Sequence, residues 1–255
     1  MKKNVLANLT WQELDEMKRE DCIVLIPLGS TEQQGSHLPL GVDTYVAERV
    51  AMNVAEKTGA LVTPTITVGY SAWFMEFPGT ITLKMETLTQ LIREYCESLI
   101  LHGFRKFVFI TGHGGNTTAI DLLAREWKLH FDLVLSMVEI WKIANALARK
   151  CETLKEKAFK HGGEIMTSMM MAIDPDLVDM KRARVEYLKS SRPAFVTKST
   201  LGGVEFEGIE INLYEKAKSC TTTGIMGDPM GASSETGRWL LNEIELYLER
   251  MIRNL

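Results

Sequence analysis

The sequence predicts an α/β protein built on a mainly parallel central sheet. Short runs rich in β-branched residues recur at 22–28, 61–68, 105–111 and 133–140. Between them lie longer stretches with the apolar spacing of a helix. Two of those stretches close on glycine, the residue that tolerates the left-handed backbone of a helix C-terminus. Strands alternating with helices of this length make βα units, whose parallel strands are buried on both faces and read as unbroken apolar runs.

The elements follow in order. Thr10, with Glu13 three residues on, makes a capping box that starts a first helix. CIVLIPL (22–28) is a strand that stops at Gly29, and TYVAERVAMNVAEKT (44–58) is a helix closed by Gly59. LVTPTITV (61–68) returns to strand character, ETLTQLIREYCESLILHG (86–103) is helical, and RKFVFIT (105–111) is the next strand. A helix over 117–130 leads to a strand, LVLSMVEI (133–140). The stretch 192–224 sets Gly202, Gly203 and Gly208 among β-favouring residues and reads as a hairpin excursion. A last helix, 233–253, places Trp239, Leu240, Ile244, Leu248 and Met251 on one apolar stripe. No linker, charge block or repeat divides residues 1–255, which read as one domain.

Composition narrows the function. A formal charge of −4 supplies no basic field for nucleic acid. The four cysteines, Cys22, Cys96, Cys151 and Cys220, form no CxxC pair, which argues against a disulfide framework and for free thiols in a reducing cytoplasm. The N-terminus lacks the apolar run of a signal peptide, and no stretch is long enough to span a bilayer. A soluble cytoplasmic protein acting on a small molecule is expected, with no membrane or nucleic-acid partner.

Open parallel sheets bind ligands beyond the carboxyl ends of their strands. Two polar loops sit there: GSTEQQGSHLPLGVD (29–43) after the first strand and TGHGGN (111–116) after the third. A third segment, HGGE (161–164), opens an apolar helix. Together they supply Glu32, Gln34, His37, Asp43, His113, His161 and Glu164. Carboxylates with imidazoles are what divalent metals of intermediate hardness accept, and a carboxylate at Asp43 has two oxygens with which to bridge two ions. The spacing alone leaves a polar loop network equally open.

The run PLGSTEQQGSHLPLGVD resembles the signature of the creatininase family, P-x-G-S-x-E-Q-H-G-x-H-L-P followed by an aspartate. FPGT (77–80), TGHGGN, HGGE followed by Thr-Ser, DPDLVDM (174–180) and GIMGDP (224–229) stand in the family's order. The resemblance runs from about residue 10 to 250. It implies a three-layer creatininase-like α/β fold, a homo-oligomer, commonly a hexamer, and a centre of one or two zinc or manganese ions. It implies Glu32, Asp43 and His113 as ligands of one ion, Asp43 bridging, and Gln34 and Glu164 as further metal positions. It also implies His161, with Glu164, as the groups that move protons. Three departures stand out. Gln34 replaces the family's EQHG histidine, and a glutamine offers only a neutral oxygen. Gly115 stands where the founding member carries a carboxylate, and Phe74 where a histidine is often found upstream of FPGT.

The activity implied is metal-assisted hydrolysis of a small cyclic amide. The alternatives are hydrolysis of a keto-inositol or related ring carbonyl, and a non-catalytic small-molecule binder on the same fold. Plainer readings stand beside these. His37 reads as a structural histidine bonded to backbone, Glu164 as a carboxylate favoured by a helix N-terminus, and Trp73 and Trp141 as core or interface. The MTSMMM run (166–171) reads as packing, and His102 and His130 as helix-end residues.

Overall fold

A computed structural model describes residues 4–198 and 203–255. Residues 1–3 and 199–202, Gly202 of the expected hairpin among them, lie outside the described residues. The capping box forms: helix α1 (Trp11–Asp15) starts with the Glu13 amide donating to Thr10 Oγ1, and the Thr10 amide donating to the Glu13 carboxylate at 2.8 Å. Strand β1 (Ile23–Leu28) leads to helix α2 (Val42–Thr58), which ends on Gly59 at φ 76°. Strand β2 (Leu61–Val62) has two residues where the sequence suggests eight. Pro64 has no N–H to give a ladder, and the chain beyond it touches β1 only through the bridge Leu28–Ile66.

Helix α3 (Met85–Leu101), strand β3 (Lys106–Thr111), helix α4 (Thr117–His130) and strand β4 (Val134–Glu139) follow as expected. Helix α5 (Ile140–Ala148) then begins directly at the end of β4, taking Ile140 from the expected strand and continuing over residues with no expected element. Helix α6 (Glu164–Ile173) carries the methionine run, with Met166, Met169 and Met170 fully buried as packing. Strands β5 (Val196–Thr197), β6 (Gly203–Phe206) and β7 (Ile209–Asn212) form a separate antiparallel sheet, so the expected hairpin is present as β6 and β7. A short helix α7 (Ala217–Cys220) precedes the final helix α8 (Ser234–Ile252).

The main sheet is parallel, in the order β2-β1-β3-β4. Alternate residues of each strand face opposite layers. Leu25, Val108, Ile110 and Val138 pack against α2, α5, α6 and α8. Val24, Ile26, Leu28, Phe107 and Phe109 pack against α3 and α4. Each such fully buried side chain contributes roughly 1.5–3 kcal/mol. Helices on both faces make the three-layer α/β architecture. Among the described residues no helix is long and apolar enough to cross a membrane, and all four cysteines are free.

Register decides where the loops emerge. Leu28 pairs with Thr111, and Thr111 with Glu139, so three strands end on one line and their following segments rise side by side. Gly112 lets the turn after β3 close onto the first turn of α2, since a Cβ there would fall 2.2 Å from the Asp43 carbonyl oxygen. Backbone on both sides leaves no flexible group to yield. Gly112→Ala is therefore expected to cost about 1–3 kcal/mol or more, read as a lower denaturation midpoint. An unchanged midpoint would contradict this packing.

Candidate metal centre

Glu32 and Gln34 lie on the segment after β1, Asp43 in the first turn of α2, and His113 on the turn after β3. The structure brings Glu32, Asp43 and His113 together in the buried interior, with donor atoms all within 4.8 Å of one another. His113 Nδ1 lies 3.0 Å from Asp43 Oδ2, and His113 Nε2 lies 3.7 Å from Glu32 Oε2 and 2.9 Å from the Tyr70 carbonyl. Ser30 Oγ donates to Asp43 Oδ2 at 2.8 Å, and Trp141 Nε1 donates to Asp43 Oδ1 at 3.2 Å. Among the described residues, buried Glu32 Oε2 has no hydrogen-bond partner.

Two carboxylates in one buried site repel each other and lack water, and a cation answers both problems. Burial pushes the Glu32 carboxyl up to about 7 despite the imidazole beside it. For His113 burial opposes the charged ring, yet the Glu32 and Asp43 carboxylates outweigh it and hold its pKa well above the ordinary value. The cluster thus keeps a proton where a cation would sit. Two carboxylate oxygens and an imidazole nitrogen also match the donor chemistry of zinc or manganese. The residues fit a divalent ion, whose uptake would release that proton.

Gln34 is fully buried beside this cluster. Its Nε2 donates to Glu32 Oε1 at 3.4 Å and Asp43 Oδ2 at 3.3 Å, while Oε1 has no partner. The amide therefore presents its N–H groups, not its oxygen, to the two carboxylates. Gly115 has a steric reason to be glycine. A Cβ there would lie 2.1 Å from the Tyr70 carbonyl and 2.5 Å from His113 Nε2.

Glu164 stands apart from this cluster in the structure. Its carboxylate is turned to the chain before α6, accepting from the Lys155 amide at 2.9 Å and the Glu156 amide at 2.8 Å. With those oxygens occupied it does not join Glu32, Asp43 and His113. Met166, two residues later, lines the cavity instead. His37 is buried, with Nε2 bonded to Thr167 Oγ1 at 2.9 Å; it is structural, though its partner is a hydroxyl and not backbone. Burial pushes its pKa down to about 4.

His161 reaches the same cavity, of about 150 Å³, as the cluster. Its Nε2 lies 3.0 Å from the Gln33 carbonyl, and the ring of Phe74 stacks on it at 4.6 Å. Burial pushes its pKa down to about 4, so the imidazole is neutral at pH 7. Trp141 is buried in the core as expected and Trp73 packs on the Phe74 cluster, and both also present a face to the cavity. Sequence reasoning missed Tyr70, Ser71, Glu139 and Phe159 in this wall. Glu139 ends a parallel strand, and that position alone was signal enough. The others sit on segments whose path only the fold reveals.

Known proteins with similar sequences bear on this site. The family profile described as creatininase, creatinine amidohydrolase, matches residues 7–252. A creatinine amidohydrolase of Pseudomonas putida is 34% identical over 200 residues, covering 71% of this chain and 76% of that protein. A mycofactocin precursor peptide peptidase of Mycobacterium tuberculosis is 31% identical over 229 residues, 84% of this chain and 78% of that one. A 3-dehydro-scyllo-inosose hydrolase of Thermotoga maritima is 26% identical and covers 97% of this chain and 82% of its own. Among solved structures, a creatininase variant of Zn–Zn type superposes with TM-score 0.78 at 27% identity, covering 98% and 97% of the two chains. A manganese form of creatininase gives TM-score 0.78 at 27% identity over 98% of each chain.

The placement of Glu164 has a direct test. Glu164→Gln sets an amide N–H₂ against the backbone N–H groups of Lys155 and Glu156. It should lower stability by about 2 kcal/mol and leave metal uptake unchanged by elemental analysis. Loss of bound metal from a folded variant would return Glu164 to the centre.

Proposed function

The chain belongs to the creatininase family of hydrolases, and we propose that it hydrolyses a small cyclic amide at a centre of one tightly held divalent ion. The observation that carries this is the buried Glu32–Asp43–His113 cluster, in which Glu32 Oε2 has no hydrogen-bond partner. Zinc or manganese is the metal, in keeping with the Zn–Zn and manganese forms of the related creatininase structures. A divalent ion there supplies Lewis-acid polarisation of a carbonyl and an acidified water at neutral pH.

The chain's own residues do the rest. Glu32, Asp43 and His113 hold the ion. Neutral His161 moves the proton: its Nε2 is engaged by the Gln33 carbonyl and side-chain amide, leaving Nδ1 to accept or deliver. Trp73, Phe74, Trp141 and Phe159 wall the cavity with aromatic surface that excludes water and accepts a flat ring. The Asp43 oxygens already accept from Ser30 and Trp141, and Gln34 offers N–H groups where a second ion would need a donor lone pair. Both features favour one ion over two.

A ring carbonyl is the second substrate reading, favoured by the inosose hydrolase relative that aligns with 97% of this chain. A homo-oligomer of six copies belongs to the same functional reading. Phe131, Val134 and Met137, exposed at the outer edge of the sheet, are candidates for the contact.

Metal titration with turnover on three substrate classes tests the proposal: cyclic amides, short peptides and cyclic ketones. Wild type should bind close to one zinc or manganese per chain and turn over a cyclic amide. His113→Ala should stay folded and lose both. Second-sphere changes already cost about 10–100-fold, so loss of a ligand should exceed that. Gln34→His should raise stoichiometry toward two. Tight binding of two ions by wild type would overturn the one-ion reading, and full activity in metal-free His113→Ala would overturn the metal.

A further inference from the structure

Glu186 lies outside every motif of the sequence reading, yet five donors surround its carboxylate. Thr221 Oγ1 donates at 2.8 Å, the Thr222 amide at 2.8 Å and its Oγ1 at 3.0 Å, and the Thr223 amide at 2.9 Å. Thr223 Oγ1 is the fifth. Burial pushes the Glu186 carboxyl up, but the donors of Thr222, Thr223 and Thr221 outweigh it and hold the pKa down to about 2. Glu186 is thus a permanent anion around which Thr221–Thr223 fold, and its own amide donates to the Gly227 carbonyl at 3.3 Å.

The turn that it shapes continues to His161 by two routes. The Gly224 carbonyl accepts from Gln33 Nε2 at 3.1 Å, and Gln33 Oε1 accepts from the Gly35 amide at 2.9 Å, which fixes the Gln33 amide from both ends. The Gln33 carbonyl in turn faces His161 Nε2. By the second route the Met226 amide donates to the His161 carbonyl at 2.8 Å. Gln33 Nε2 also lies 3.1 Å from His161 Nε2. Both amide hydrogens make that nitrogen a donor, so the one acceptor beside His161 Nε2 is the Gln33 carbonyl. His161 Nε2 thus faces a donor, the Gln33 amide N–H, and an acceptor, the Gln33 carbonyl, and which of the two it answers sets the tautomer of the neutral ring; among the described residues Nδ1 has no hydrogen-bond partner.

We propose that Glu186 is a positioning residue for His161: through the Thr221–Gly224 turn and Gln33 it holds the imidazole in one orientation and one tautomer. The consequence for turnover rests on the role given to His161 above; the tautomer does not.

Histidine-selective nitrogen NMR of the full chain reads the tautomer directly. The chain has five histidines, and His161→Gln identifies the signal. In wild type at pH 7, His161 should be a neutral ring in a single tautomer. Glu186→Gln, which puts an amide N–H₂ among donors, should split or broaden that signal. It should also lower kcat about 10-fold, with KM within about 2-fold and metal content unchanged. Glu186→Asp should recover part of both. If Glu186→Gln fails to fold, Thr223→Val against Thr223→Ser gives the same comparison, with the hydroxyl lost or kept. A folded Glu186→Gln whose His161 signal matches wild type overturns the proposal. A changed tautomer with unchanged kcat upholds the positioning and overturns only the role of His161.

Discussion

The carboxylate of Asp43 is the point on which the architecture converges. It stands in the first turn of α2, where the helix dipole favours a negative charge by about 0.3–1 kcal/mol. It accepts from Ser30 after β1 and Trp141 in α5, and it faces His113 after β3. A buried carboxylate that loses its partners costs several kcal/mol. The segments carrying those partners are therefore not free to move apart. They meet because Leu28, Thr111 and Glu139 end three strands in register, and because Gly112 allows the chain to pass against the Asp43 backbone.

The same cluster works against stability. Glu32 adds a second buried acid whose Oε2 finds no donor, and a site arranged for folding alone would satisfy it or replace it with an apolar group. The strain is rational if a cation completes the set. Gln34 changes the electrostatics of that completion. A second histidine would offer a lone pair, whereas the Gln34 amide offers hydrogens to both carboxylates and already does part of a cation's work. Gly115 acts in the same direction, because the Tyr70 carbonyl occupies the space that a side chain there would need. Both residues support the proposal of one firm ion over two.

Much of this was legible in the sequence. Unbroken apolar runs gave the parallel strands, since both faces of the sheet are covered, and polar loops at strand ends gave Glu32, Asp43 and His113. Where the sequence misled, local pattern was the reason. Pro64 cut the second strand short without changing its β-like composition. Glu164 sits in a motif that suggests chemistry, yet its first-turn position aims it at the Lys155 and Glu156 amides. Trp73 and Trp141 read as core, and they do pack there, but only the fold shows that each also faces the cavity. Gln33 and Glu186 were invisible, as their effect on His161 runs through backbone groups that no residue pattern encodes.

The central claim is a single divalent cation held by Glu32, Asp43 and His113. Anomalous diffraction from crystals of the wild-type chain grown with zinc locates every bound ion directly. One strong peak bounded by those three side chains is the predicted result. No peak there, or a second peak of equal height against Gln34, would contradict it.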